Sequence, residues 1–105
     1  MDARINIGDK IDLEKIETTP CVWHADAGHA WLEVPMQYLK DLNILDKITD
    51  YSYKSIDGTK AYLEEDLDAG TYIDKVWGNT DYRQYVSEVD DGDDSFIRHL
   101  PRIHG

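Results

Sequence analysis

The dipeptide Asp57-Gly58, set between two runs rich in β-forming residues, constrains the fold of this chain more than any other feature. The runs are residues 51–56 and 59–63. Asp-Gly supplies the positive φ angles that a two-residue turn between antiparallel strands requires. The sequence therefore predicts a β-hairpin in which Tyr53 and Tyr62 lie opposite each other on neighbouring strands.

A second hairpin is predicted around Asp26-Ala27-Gly28, whose flanks are also rich in β-forming residues. The flanks are residues 21–24 and 30–34. With the loop centred on its alanine, Val22 is expected to lie opposite Leu32. In the same register Trp23 lies opposite Trp31. Because side chains alternate along a strand, one face of this hairpin is expected to be aliphatic and the other aromatic.

Two short helices are predicted from their end residues and from apolar spacing. The first begins at Pro35, whose fixed φ suits the first helical position, and buries three apolar side chains. These are Met36, Leu39 and Leu42. The second begins at Glu64-Glu65-Asp66, where acids are favoured by the helix dipole, and ends at Gly78. Its apolar side is expected to comprise Leu67, Ile73, Val76 and Trp77.

The two ends of the chain have weaker patterns. Ile5 and Ile7 alternate as in a strand. Leu13 and Ile16 have the spacing of a short helical turn. Residues 82–89 have the composition of a last strand, which is followed by an acidic loop.

The length of 105 residues is enough for one hydrophobic core but not for two. The sequence predicts a small single domain over residues 1–105, of the α+β class, with antiparallel β-hairpins and two short helices. The single cysteine, Cys21, cannot form a disulfide within the chain, and the first residues lack the apolar core of a signal peptide. A cytoplasmic protein is therefore expected, and no apolar run approaches the length of a membrane span.

The negative charge of the chain is concentrated in one segment. The net charge is -11, and residues 64–94 hold eleven acids and two bases, which gives that segment -9. Such a surplus predicts a basic partner and argues against direct binding of nucleic acid or an anionic membrane. A surface that imitates the phosphate line of a nucleic acid is one interpretation, and a solvated face that keeps the protein soluble is the other. The acids predicted to bind the partner are Glu64, Glu65, Asp66, Asp68, Asp74, Asp90, Asp91, Asp93 and Asp94.

Aromatic and metal-ligating residues give two other interpretations. Trp23 and Trp31 are candidate anchors of a protein-interaction surface, and packing in the core is the alternative for them. Cys21, His24 and His29 follow the spacing C-x2-H-x4-H, a set that zinc accepts when a further ligand is present, so a small metal-binding protein or metal-dependent enzyme is the other interpretation. Because strand alternation points Cys21 and His24 to opposite faces, the sequence predicts no metal. It predicts no other cofactor and no catalytic residue, so a protein that is not an enzyme is expected.

Four strings of residues resemble those of small proteins encoded by bacteriophages and other mobile elements, over roughly residues 24–102. The strings are Asp26–Pro35, Tyr51–Tyr53, Tyr62–Ala69 and Ser95–Arg98 with Pro101. The chain has Ala27 and Leu67 where the pattern leads us to expect proline and cysteine, and neither difference removes a catalytic group. The resemblance implies an accessory protein that inhibits host defence, of the anti-CRISPR or anti-restriction kind. Its partner would then be a host protein or ribonucleoprotein with a basic surface, in the bacterial cytoplasm.

Overall fold

The structure, a computed structural model, describes residues 12–105. These residues form a five-stranded sheet with three α-helices, one more than the two predicted, and the predicted α+β class is confirmed. The elements are α1 (Leu13–Thr18), β1 (Cys21–Ala25), β2 (Ala30–Pro35), α2 (Met36–Asp41), β3 (Tyr53–Lys54), β4 (Lys60–Glu64), α3 (Asp68–Val76) and β5 (Val86–Asp90). The strand predicted through Ile5 and Ile7 lies outside the described residues.

The sheet is mixed, whereas the sequence predicted antiparallel hairpins throughout. Its strand order is β3-β4-β2-β1-β5, and β5 pairs with β1 in the parallel direction. Parallel strands need a crossover connection, which here includes α3 and returns the chain to the far edge of the sheet. The last strand is also shorter than predicted, because residues 83–85 form a turn of 3₁₀ helix before β5 begins.

The β1–β2 hairpin forms, but its predicted register is wrong by one residue. Trp23 lies opposite Leu32, so Trp31 is on the other face of the sheet. The loop is closed by two hydrogen bonds of 2.9 Å, from the amide of Asp26 to the carbonyl of His29 and from the amide of His29 to the Asp26 carboxylate. The loop is therefore centred between Ala27 and Gly28, whereas the prediction centred it on Ala27. The expected aromatic face with both tryptophans therefore does not exist.

The β3–β4 hairpin has the predicted register, with Tyr53 opposite Tyr62. Its loop differs from the predicted two-residue turn. The amide of Gly58 donates to the carbonyl of Ser55 at 2.9 Å, and Gly58 is the turn residue with positive φ, at 76°. The amide of Ser55 then donates to the carbonyl of Lys60 at 3.0 Å, which makes a four-residue loop. Glycine is favoured at this position because its φ is left-handed.

The helices differ from prediction mainly at their starts. Pro35 ends β2 and caps α2, which then buries the three apolar side chains expected of it. The helix that was predicted to begin at Glu64 instead begins at Asp68, because Glu64 completes β4. Leu67 is exposed as a result, whereas it was expected on the apolar side. Gly78, with a φ of 57°, follows the end of α3 close to the predicted stop. Within the described residues, no helix has both the length and the apolarity needed to cross a membrane.

The two faces of the sheet are covered differently. On one face, the three helices enclose the main core with Leu32, Ala61 and Leu63 from the strands. On the other face, Trp31 and Tyr62 pack with Ile97, which lies in the segment that follows β5. That C-terminal segment crosses the sheet and joins its edge through a hydrogen bond from the amide of residue 103 to residue 52. The second face is thus where distant parts of the chain meet.

Candidate functional site

Two acidic segments that are far apart in the sequence lie at the same end of the sheet. Glu65 follows β4 and its amide donates to the carbonyl of Ala30, at the start of β2. Asp91 follows β5 and its amide donates to the carbonyl of Ala25, at the end of β1. Since β4 and β5 are separated by two strands, the segments lie about 15 Å apart across the sheet. We call the exposed carboxylates here the acidic end: Glu65, Asp66, Asp90, Asp93 and Asp94.

Three of the nine predicted partner-binding acids do not lie on the surface. Glu64 and Asp68 are buried, with 7% and 1% of their surface exposed. The Asp91 side chain is also largely covered, because it lies against His24 and accepts a hydrogen bond of 2.7 Å from the hydroxyl of Ser95. Internal donors occupy the carboxylates of Asp68 and Asp91, and the Glu64 side chain is largely covered, so these three acids do not lie exposed where the sequence placed them. Asp74 is exposed, but it lies on α3 and outside the acidic end.

A histidine between two carboxylates fastens the C-terminal segment to the sheet. Nε2 of His24 lies 2.9 Å from Glu33, and Nδ1 lies 3.2 Å from Asp91. The ring of His24 also meets the edges of Tyr62 and Phe96, with ring centroids 5.8 and 5.5 Å apart. Both ring nitrogens of His24 therefore face carboxylates, and its ring packs with two aromatic side chains on the second face.

Asp26 and Arg98 form a bidentate ion pair beneath the acidic end. Nε and Nη2 of Arg98 donate to the two oxygens of Asp26, the second at 2.9 Å, and the Asp26 side chain is fully buried. The amides of Gly28, His29 and Ser95 also donate to this carboxylate. The Arg98 guanidinium and these amides hold the pKa of Asp26 far below its usual range. The pair thus locks the β1–β2 loop to the C-terminal segment.

A pocket of about 430 Å³ opens beside the acidic end, on the second face. Its aromatic wall includes Trp31 and Tyr53. The guanidinium of Arg98 lies 5.2 Å from the ring centroid of Trp31, and that of Arg102 lies 4.6 Å from the ring centroid of Tyr53. Such cation–π contacts stabilise the arginines over the rings. The pocket therefore combines an aromatic wall with fixed positive charge.

The lining of this pocket also includes an imidazole and carboxylates. Nδ1 of His29 lies 3.5 Å from Oε2 of Glu64 and 3.7 Å from Oε1 of Glu65. One donor atom from each of His29, Glu64 and Asp66 lies within 4.8 Å of the others. Burial raises the pKa of Glu64, because it disfavours the charged form of the carboxylate.

The structure does not bring Cys21, His24 and His29 together. Cys21 is buried in the main core, on the helix side of the sheet. His24 is on the second face, and His29 is exposed in the loop beside Glu64. The predicted opposite orientation of Cys21 and His24 is confirmed, and the C-x2-H-x4-H spacing forms no common site.

The thiol of Cys21 is expected to be unreactive in the folded protein. Burial, with a smaller effect of the Glu33 charge, raises its pKa to about 11. At pH 8, on the order of one thiol in a thousand is then ionised, and the thiolate is the nucleophile. We expect a thiol-specific disulfide reagent to label Cys21 only after denaturation in urea. Labelling at the same rate in native and denatured protein would contradict this assignment.

Neither tryptophan offers the predicted anchor for a protein partner. Trp31 is 2% exposed and lies beneath Arg98, while Trp23 is partly buried against the main core on the opposite face. Both side chains contribute to packing, which was the alternative for them in the sequence. An interaction module based on a shared aromatic surface therefore has no support from their positions.

Sequence reasoning missed side chains that contact each other from distant parts of the chain. Asp26 was assigned to a loop without its partner Arg98, which is 72 residues away. Arg102 and Tyr53 were likewise not connected. No local pattern marks such a pair, although Asp26, Tyr53 and Arg98 all fall within the strings that carry the resemblance to phage proteins.

Comparison of the chain with known protein families, with curated proteins and with solved structures finds no match in any of the three.

Proposed function

We propose that this protein is a non-enzymatic inhibitor that occupies a basic nucleic-acid-binding surface of a host defence complex through its acidic end. The observation that carries the proposal is the meeting of Glu65 and Asp66 with Asp90, Asp93 and Asp94 at one end of the sheet. These five exposed carboxylates come from two segments that are about 25 residues apart in the sequence. A fold that gathers them presents a compact negative surface.

The density of charge supports imitation of a nucleic acid. One strand of a duplex carries about one charge per 3.4 Å, which amounts to about four charges over 15 Å. The acidic end has five carboxylates over a similar width, one of which, Asp94, also contacts His99 at 2.8 Å and Arg98 at 3.6 Å. A channel built to bind phosphates with lysine and arginine would therefore meet a comparable number of charges. The resemblance to phage proteins adds the context of host defence and supports a CRISPR effector or a restriction nuclease as the target.

The proposal is tested by adding the purified chain to a panel of purified CRISPR effector complexes and restriction endonucleases. Cleavage of a labelled duplex is measured as the inhibitor concentration rises. We expect inhibition of a panel member to saturate near an equimolar ratio, because one molecule occupies one site. Inhibition should weaken as salt rises, and prior loading of the nucleic acid should protect the complex.

A double charge reversal, Glu65→Lys with Asp93→Lys, is expected to weaken that inhibition at least about tenfold, because attraction becomes repulsion at both segments. Both side chains are exposed, so the fold should be retained. The matched control is Glu14→Lys with Asp46→Lys, which reverses two exposed acids outside the acidic end. Both variants change the net charge by the same amount, from -11 to -7, at two charges per residue.

Equal losses in the two variants would attribute the effect to net charge and would contradict a specific acidic end. Inhibition far below the equimolar ratio would indicate turnover and would contradict a blocker. If no member of the panel is inhibited, the proposed function fails.

A further inference from the structure

We propose that His29, Glu64 and Asp66 form a binding site for a divalent transition-metal ion, with zinc as the probe that tests it. The three donor atoms lie within 4.8 Å of one another, on the wall of the pocket of about 430 Å³. One imidazole and two carboxylates form a set that suits Zn²⁺ better than Mg²⁺ or Ca²⁺, which prefer oxygen ligands alone.

The geometry of the first two ligands is already close to that of a zinc site. In a tetrahedral site with ligands about 2.1 Å from the ion, neighbouring donor atoms lie about 3.4 Å apart. Nδ1 of His29 and Oε2 of Glu64 are separated by 3.5 Å. Asp66 is exposed, so its side chain is free to move its donor atom from within 4.8 Å of the other two donor atoms to the spacing of about 3.4 Å.

The Glu64 carboxylate is an independent reason to place a cation here. Its Oε1 accepts the amides of Asp66 and Leu67 at 3.0 and 3.1 Å, and these bonds fix the direction of the carboxylate. Its Oε2 has no hydrogen-bond donor within residues 12–105 and faces His29, although only 9% of the side chain is exposed. Most of this side chain is removed from water, where a carboxylate costs free energy unless a positive group pairs with it, and a metal ion is such a group.

The charges around the site leave it negative. Arg98 lines the same pocket, but it is neutralised by Asp26 and lies 3.6 Å from Asp94. Glu65 adds a further carboxylate 3.7 Å from His29. Three protein ligands fill part of the coordination sphere, so the remaining positions face the pocket and would accept water or an anionic group held near Arg102.

The experiment titrates ZnCl₂ into the metal-free chain, prepared without a polyhistidine tag, by calorimetry. We expect one ion per chain, and we expect His29→Ala and Asp66→Asn each to weaken binding at least about tenfold. Both residues are exposed, so these variants should fold. The matched control is His99→Ala, which removes another exposed imidazole, paired with Asp94 at 2.8 Å, and should leave the affinity unchanged.

Cobalt provides a second readout. Co²⁺ bound to the wild type should absorb in the visible region, and His29→Ala should change that spectrum because the imidazole ligand is lost. The site is disproved if the wild type binds no zinc, or if His29→Ala and Asp66→Asn bind it as tightly as the wild type does. A tenfold loss of zinc affinity in His99→Ala would also contradict a site formed by His29, Glu64 and Asp66. The measurement uses the isolated chain without a partner, so its outcome is independent of the proposed inhibition.

Discussion

Replacing Asp68 with alanine is expected to lower the free energy of unfolding by at least about 3 kcal/mol. Asp68 is 1% exposed and accepts hydrogen bonds from the amide and hydroxyl of Thr49, at 3.0 and 2.7 Å, and from the hydroxyl of Ser52. The substitution removes the acceptor and strands three donors, one on the buried Ser52 and two on the half-buried Thr49. Each stranded donor costs about 1–3 kcal/mol. The Ser52 hydroxyl also accepts the amide of Glu64 at 2.9 Å, so the damage extends to the end of β4.

Urea unfolding followed by circular dichroism measures this effect. Asp74→Ala is the matched control, because it removes an exposed carboxylate from the same helix and should change the free energy of unfolding by less than about 0.5 kcal/mol. Asp68→Asn keeps one acceptor oxygen and should fall between the two. If Asp68→Ala and Asp74→Ala were equally stable, the hydrogen bonds of Asp68 would not hold this part of the fold together.

The second large effect is expected from Asp26→Asn. This substitution should lower the stability of the protein at neutral pH and should reduce the loss of stability as pH falls. The variant loses the charged partner of Arg98 and weakens the acceptor of three amides. Because the pKa of Asp26 in the folded protein is held far below the ordinary value of 3.8, the folded state binds the proton more weakly than the unfolded state. Its contribution to stability is therefore complete well above pH 3.8 and is lost as pH falls through the lower, folded pKa.

Thermal unfolding at about pH 7, pH 4 and pH 2.5 tests this prediction. The wild type should lose stability between the two lower values, and Asp26→Asn should lose less over the same interval because it has no carboxylate to protonate at residue 26. Asp93→Asn is the control, since it removes an exposed acid of the acidic end and should follow the wild type. If Asp26→Asn lost as much stability between about pH 4 and pH 2.5 as the wild type does, the ion pair would not be a source of stability.

The parts of the fold that were predicted correctly depend on local chemistry. The Asp57-Gly58 hairpin was recognised because glycine accepts the left-handed φ that its loop requires, and the pairing of Tyr53 with Tyr62 followed. The helix after Pro35 was recognised because three apolar residues recur at helical spacing. Local information did not settle the β1–β2 register, because a shift of the pairing by one residue moves Trp31 to the other face.

The sequence by itself determined the amount of negative charge, its concentration in residues 64–94 and the α+β class, because these follow from composition, turn residues and periodicity. Only the tertiary structure decided which acids are free. Long-range contacts bury Asp68, bind Asp91 to His24 and pair Asp26 with Arg98. The parallel pairing of β5 with β1 likewise brings two acidic segments to one end of the sheet. The physical reason is that burial and pairing join residues distant in sequence, and a carboxylate engaged by internal donors is no longer available to a partner.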